Sequence, residues 1–212
     1  MSDLTDAGVH LLPAAETARR LGASPGTWDR FRKHWEELRV DRTRTGVHSR
    51  TLHRCGHFQV SLTGAFELLA HRQGGEPQAD ALTDSFATDP LLAGLLRLLL
   101  EFAAELDDAT LWDVRAHPLR ELAATETAAA TPRRLDVTLA AQLLVSRDNA
   151  EGGAATLSTA DGTPVRTVAP DEPGTLLLID DRRIRHAQSA IRPVAASRPA
   201  LRDLLEVTFT PA

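Results

Sequence analysis

The feature that most constrains this chain is a change of hydrophobic period near residue 110. Ahead of it, apolar residues recur at helical spacing; beyond it they alternate or run on continuously, as strands do. Ser24-Pro25 sets a capping residue before a proline at the first helical position, and Trp28, Phe31, Trp35 and Leu38 follow on one face. The spacing predicts a helix over 24–38. Asp89-Pro90 repeats the signal before an apolar helix over 91–106, interrupted by Arg97, Glu101 and Glu105. Strands are then predicted at 111–122, 135–145, 154–158, 164–168, 175–179, 184–191 and 201–210, with Asp161-Gly162 as the strongest hairpin turn. Residues 123–130 admit a loop or a short helix. Helices first and short strands after them give an α+β sandwich or barrel with an N-terminal helical cover. The expected organisation is one domain over 1–212, with 1–110 mainly helical and 111–212 forming the β core.

Composition narrows the function. A net charge of −5 argues against nucleic acid, since phosphate binding needs a concentrated positive surface. The apolar run over 91–104 is too short and too charged to span a bilayer, so no membrane association is expected. The acidic start, Met1-Ser2-Asp3-Leu4-Thr5-Asp6, lacks the apolar centre of a signal peptide, and Cys55 is the single cysteine. A chain without a disulfide suits a reducing compartment, so a cytoplasmic location is expected.

Three blocks stand in order in the second half. They are Arg147-Asp148-Asn149-Ala150-Glu151-Gly152-Gly153, then Leu176 through His186, then Leu201-Arg202-Asp203-Leu204-Leu205-Glu206-Val207-Thr208-Phe209. Together they resemble the 2-oxoglutarate/Fe(II)-dependent dioxygenase family that includes free L-isoleucine hydroxylases. The resemblance implies a double-stranded β-helix, also called a jelly roll. It implies Fe(II) in a triad of two histidines and one carboxylate, with 2-oxoglutarate as co-substrate and a small polar substrate such as a free amino acid. On this resemblance His186 falls on the second histidine ligand. Arg202 falls on the arginine whose planar fork grips the distal carboxylate of 2-oxoglutarate.

The resemblance also implies an H-x-D motif a fixed distance before Asn149. An ungapped count puts Arg133 where the histidine belongs and Leu135 where the aspartate belongs. A one-residue slip makes Asp136 the carboxylate, with Arg134 in place of the histidine. Arginine keeps its proton and offers no lone pair to a metal. The candidate metal ligands are therefore His186 and Asp136, the candidate catalytic residues His186, Asp136 and Arg134, and the triad is incomplete. Glu206 departs from the family's apolar pattern and shares a strand face with Arg202, so it is a candidate to plug the arginine. His117 could replace a ligand. His53, Cys55 and His57 would lie on one face of a continuous strand with zinc-compatible donors, although a partly exposed strand rich in His and Arg explains them as well.

Three functions stay open at this level: an iron oxygenase, a metal-independent enzyme or small-molecule binder with no cofactor, and a non-catalytic partner of an active relative. A homodimer is compatible with all three.

Overall fold

The structure is a computed structural model and describes residues 3–40, 49–63, 66–68 and 80–212. The helices are α1 (Asp3–Ala7), α2 (Ala14–Leu21), α3 (Pro25–Arg32), α4 (Asp84–Ala87) and α5 (Pro90–Leu106), with a 3-10 turn over Lys33–Glu37. The strands of the first half are β1 (Val9–Leu12), β2 (Arg39–Val40), β3 (Ser49–His53), β4 (Gly56–Ser61) and β5 (Phe66–Leu68). Those of the second half are β6 (Leu111–Ala123), β7 (Leu139–Asp148), β8 (Ala150–Gly152), β9 (Ala155–Thr159), β10 (Pro164–Val168), β11 (Leu176–Asp180), β12 (Ile184–Gln188), β13 (Ile191–Pro193) and β14 (Ala200–Pro211).

An antiparallel main sheet runs in the order β1-β11-β7-β14-β6-β3-β2, with β4 pairing farther along β6 and β5 pairing β4. A smaller sheet, β10-β9-β12, packs on one face of it, and β8 with β13 forms a short ribbon. This is the double-stranded β-helix expected, with helices on the outer face. Because both faces of the main sheet are covered, its central strands read as unbroken apolar runs. In β7, Leu139, Ala141, Leu143 and Val145 join the leucines of α5 in one core, while Ala140 joins Leu157 and Ile184 of the small sheet. Leu92, Leu95, Leu96 and Leu99 of α5 are fully buried. At about 1.5–3 kcal/mol each, these four side chains suffice to fix the helix on the sheet.

Both predicted helix starts are capped. Ser24 Oγ accepts a bond from the Thr27 amide at 3.2 Å, and Asp89 Oδ1 accepts one from the Leu91 amide at 2.7 Å. The helix predicted over 24–38 is divided, however: α3 stops at Arg32 and the chain tightens into the 3-10 turn, as helix ends commonly do. There Trp35 Nε1 donates to the Leu119 carbonyl at 2.9 Å, and buried His34 meets Asp89 Oδ2 at 3.0 Å.

Three further expectations change. The first 110 residues also supply β1 to β5, all paired into the main sheet, so they complete the barrel wall as well as covering it. The strand expected from 135 begins at Leu139, because Asp136 adopts a left-handed φ of 58° that ends extended backbone. The strand expected over 184–191 splits between the small sheet and the ribbon, with β12 ending at Gln188 and β13 starting at Ile191. Residues 123–130 hold no helix. The Asp161-Gly162 turn does join β9 to β10, with Gly162 at φ 89°. No helix among the described residues is long and apolar enough to cross a membrane.

Asp89 caps α5 with one oxygen and holds His34 with the other. Asp89→Ala should therefore lower the unfolding free energy by about 2 kcal/mol, the cost of a lost cap together with a buried imidazole left without its partner. Chemical denaturation of the two proteins measures this.

Candidate functional site

His186 lies on β12 with 5% of its surface exposed, inside the barrel as its place in the sequence suggests. Its backbone makes a two-way bridge with Arg133, each amide donating to the other's carbonyl at 3.0 Å. The segment before β7 is thus laid against His186. What holds it there is a residue that sequence reasoning missed. Asp181 is fully buried at the end of β11, and its Oδ2 accepts the amides of Leu135 at 2.7 Å and Val137 at 3.3 Å. Its other oxygen, Oδ1, faces His186 Nδ1 at 3.9 Å, and both atoms are buried without a hydrogen-bond partner. Burial pushes the imidazole pKa of His186 down, and Arg133 adds to this, while Glu206 and Asp181 oppose it. The ring is neutral at pH 7, with one nitrogen donating and the other accepting. A proton on Nδ1 is the arrangement that complements Asp181, and it leaves Nε2 as the acceptor.

Asp136 and Arg134 do not join His186. The left-handed turn at Asp136 sends its side chain outward, 76% exposed, where it accepts from Arg134 Nη2 at 2.8 Å. Arg134 also donates to the Arg182 carbonyl on the surface. The expectation that Asp136 and Arg134 act in catalysis, and that Asp136 ligates metal, is corrected by this geometry. His53, Cys55 and His57 are likewise not one face of a strand, because the chain breaks between β3 and β4. His53 Nδ1 meets His117 Nε2 at 2.8 Å, whereas Cys55 Sγ lies 3.6 Å from His57 Nε2. Among the described residues no three His, Cys, Asp or Glu side chains are grouped so as to hold a metal ion. An iron triad needs two donors beside His186 from the segment before β7, and that segment offers an arginine and a leucine there. Among the described residues, those beside His186 do not make up such a triad.

Arg202, on β14, is 4% exposed and faces the interior as expected. Its partner is Glu121 on β6, its cross-strand neighbour, rather than Glu206 or Asp136. Glu121 Oε2 accepts from Nε at 2.6 Å, the Gly153 carbonyl accepts from Nη1 at 2.9 Å, and Gln188 Oε1 accepts from Nη2 at 2.8 Å. Gly153 has φ 73°, and a Cβ there would run into Nη1, which is why glycine ends the Asn149–Gly153 block. Arg147 pins the same turn through the carbonyls of Ala150 and Gly152, both at 2.8 Å. Asp203, beside Arg202 in sequence, is gripped by Arg120 at 2.7 and 2.8 Å.

From Arg202 a hydrogen-bonded line crosses the barrel. Gln188 Nε2 donates to Gln142 Oε1 at 2.7 Å, and Gln142 Nε2 donates to Glu206 Oε1 at 2.9 Å. The two glutamines carried no sequence signal, because their roles follow from strand pairing alone. Glu121 carried none either, since strand register alone sets it opposite Arg202.

A family model described as 2OG-Fe dioxygenase matches residues 32–208. No curated protein matches the sequence. Among solved structures, a bsmA homologue from Methylobium petroleophilum PM1 superposes with a TM-score of 0.89 at 24% identity, covering 99% of this chain and 91% of that one. IDO from Bacillus thuringiensis gives 0.81 at 15% identity, covering 99% and 96%. The Fe(II)/α-ketoglutarate-dependent dioxygenase TqaL gives 0.80 at 16% identity, covering 98% and 84%. At these identities the likeness is one of fold.

A histidine whose folded pKa is depressed stabilises the fold above its unfolded value near 6.5, and that contribution is lost as pH falls toward the folded value. His186 should therefore titrate below the ordinary imidazole range by NMR. His186→Gln should reduce the loss of thermal stability on going from pH 7 to pH 5.

Proposed function

This chain belongs to the 2OG-Fe dioxygenase family, and from that premise we propose that its barrel serves a small polar molecule, a free amino acid or a similar compound, through acid–base chemistry at His186 and without iron-dependent oxygenation. The observation that supports this most is the pairing of Arg202 with Glu121. The arginine suited by position to 2-oxoglutarate already has a carboxylate, a carbonyl and an amide oxygen on its donors. A ligand carboxylate would have to displace Glu121 and would meet Glu206 on the same face of the sheet. The missing donors beside His186 point the same way.

The remaining groups suit proton transfer. Neutral His186, with Nδ1 turned to Asp181, presents Nε2 as a base, and the carboxylates of Asp181 and Glu206 favour the imidazolium that forms when it takes a proton. Asp181 acts as a positioning residue: it faces the imidazole at 3.9 Å and, through the amides of Leu135 and Val137, holds the segment beside it. A neutral imidazole with a free ring nitrogen is suited to abstraction of a proton from a small substrate.

Protein purified without chelators should carry iron far below one atom per chain and should not convert 2-oxoglutarate to succinate. Stoichiometric iron together with succinate formation would overturn the reading. Glu121→Gln removes the internal carboxylate, so 2-oxoglutarate should bind that variant about tenfold more tightly than the wild type in calorimetry, by the worth of a hydrogen bond to a charged group. Arg202→Ala should leave the weak wild-type binding unchanged and lower stability by about 3 kcal/mol, since it strands Glu121.

A further inference from the structure

We infer that Glu206 forms a binding site for the ammonium group of a small amine, free amino acids included, so that the barrel has reversed the charge of the ligand it selects. This rests on the reading of the barrel as an iron-free small-molecule site and names the end of the molecule that is held.

The line of hydrogen bonds from Arg202 sets the surroundings of Glu206. A guanidinium has donors and no acceptor, so the atom of Gln188 that meets it must be oxygen. The Gln188 amide nitrogen must then donate to the Gln142 oxygen, and the Gln142 nitrogen must donate to Glu206. Neither glutamine can flip without setting donor against donor or acceptor against acceptor. The orientation of both amides, ordinarily open to assignment, is dictated here by Arg202. The line therefore ends by delivering a donor to Glu206 Oε1.

Oε1 is thereby fixed in place, and Oε2 has no hydrogen-bond or ion-pair partner among the described residues. Glu206 is half-buried on the inner face of β14. Its neighbours across the sheet are Gln142 on β7 and His117 on β6, and its charge acts on His186 of the facing sheet. The other interior charges nearby are matched: Arg202 by Glu121, and on the adjoining position Asp203 by Arg120. His186 has Asp181 behind it, and Arg133, the cation whose charge reaches the ring, is itself exposed to solvent. A carboxylate oriented by a fixed donor, with an open oxygen and no cation of its own, calls for a ligand that is positive and donates hydrogen bonds. An ammonium group meets both needs, and it would lie next to His186. A 2-oxo dicarboxylate meets neither.

Three ligand series separate the possibilities: the common L-amino acids, their amides, which keep the ammonium and lose the carboxylate, and their N-acetyl derivatives, which do the reverse. The wild-type protein should bind at least one amino acid and its amide, and fail to bind the N-acetyl form, by calorimetry. Glu206→Gln keeps the shape and the bond from Gln142 while removing the charge. It should weaken amine binding about ten- to a hundredfold, the range for a charge-assisted hydrogen bond, with an unchanged melting temperature. Glu206→Asp should restore part of the affinity. Binding of N-acetyl acids in place of amines, equal affinity in wild type and Glu206→Gln, or no binding in any series would overturn the ammonium site. The first two results would leave the iron-free reading standing, since that reading fails on iron content and succinate formation instead.

Discussion

A guanidinium does not give up its proton inside a protein, so a buried arginine must find acceptors for its donors within the fold. Arg202 imposes this requirement on the barrel of the present chain. It draws Glu121 from β6, the Gly153 carbonyl from the turn after β8, and Gln188 from β12 onto a single group. Strands of the main sheet, the small sheet and the intervening ribbon are tied together at that point. The consequences run outward: Gly153 must lack a side chain, both glutamine amides acquire one orientation, and Glu206 is held as an acceptor. An arginine that could serve as a ligand clamp has become the internal reference for a polar network.

Asp181 plays the matching part on the opposite side. A carboxylate with no exposed surface is tolerable when backbone amides satisfy it, and Leu135 and Val137 supply two. Its second oxygen and His186 Nδ1 confront each other with no other partner, which couples the imidazole to the segment that precedes β7. That segment keeps its place against β12 through the Arg133–His186 backbone bridge. On the outer side of that segment Arg134 and Asp136 pair with each other at the surface.

Much of the architecture was legible in the residues because it depends on local rules. Helix starts at Ser24 and Asp89 were marked by cap and proline, and the hairpin at Asp161-Gly162 by its turn pair. Continuous apolar runs such as Leu176 to Ile179 signalled a sheet covered on both faces. A strand around His53 to His57 could be read, but the pairing of β1 with β11 and of β3 and β4 with β6 was not legible, because it joins distant parts of the chain. The break between His53 and His57 was hidden for the same reason, since alternation on paper does not show where a strand changes its path along β6.

The sequence pointed to a barrel with a helical cover, and its resemblance implied a jelly roll with Arg202 and His186 facing the interior and an arginine and a leucine where two metal donors are expected. Those conclusions follow from side-chain chemistry and from the order of motifs, neither of which needs coordinates. Which carboxylate meets Arg202 was decided only by the tertiary structure. Asp136, Glu206, Asp203 and Glu121 are equivalent as acids, and strand register, a property of segments some eighty residues apart, selects Glu121. Register likewise sets Gln142 and Gln188 between Arg202 and Glu206 and packs Asp181 behind His186. Hydrogen bonds are short-ranged and directional, so a shift of one residue along β14 would have given Arg202 and Glu206 different partners.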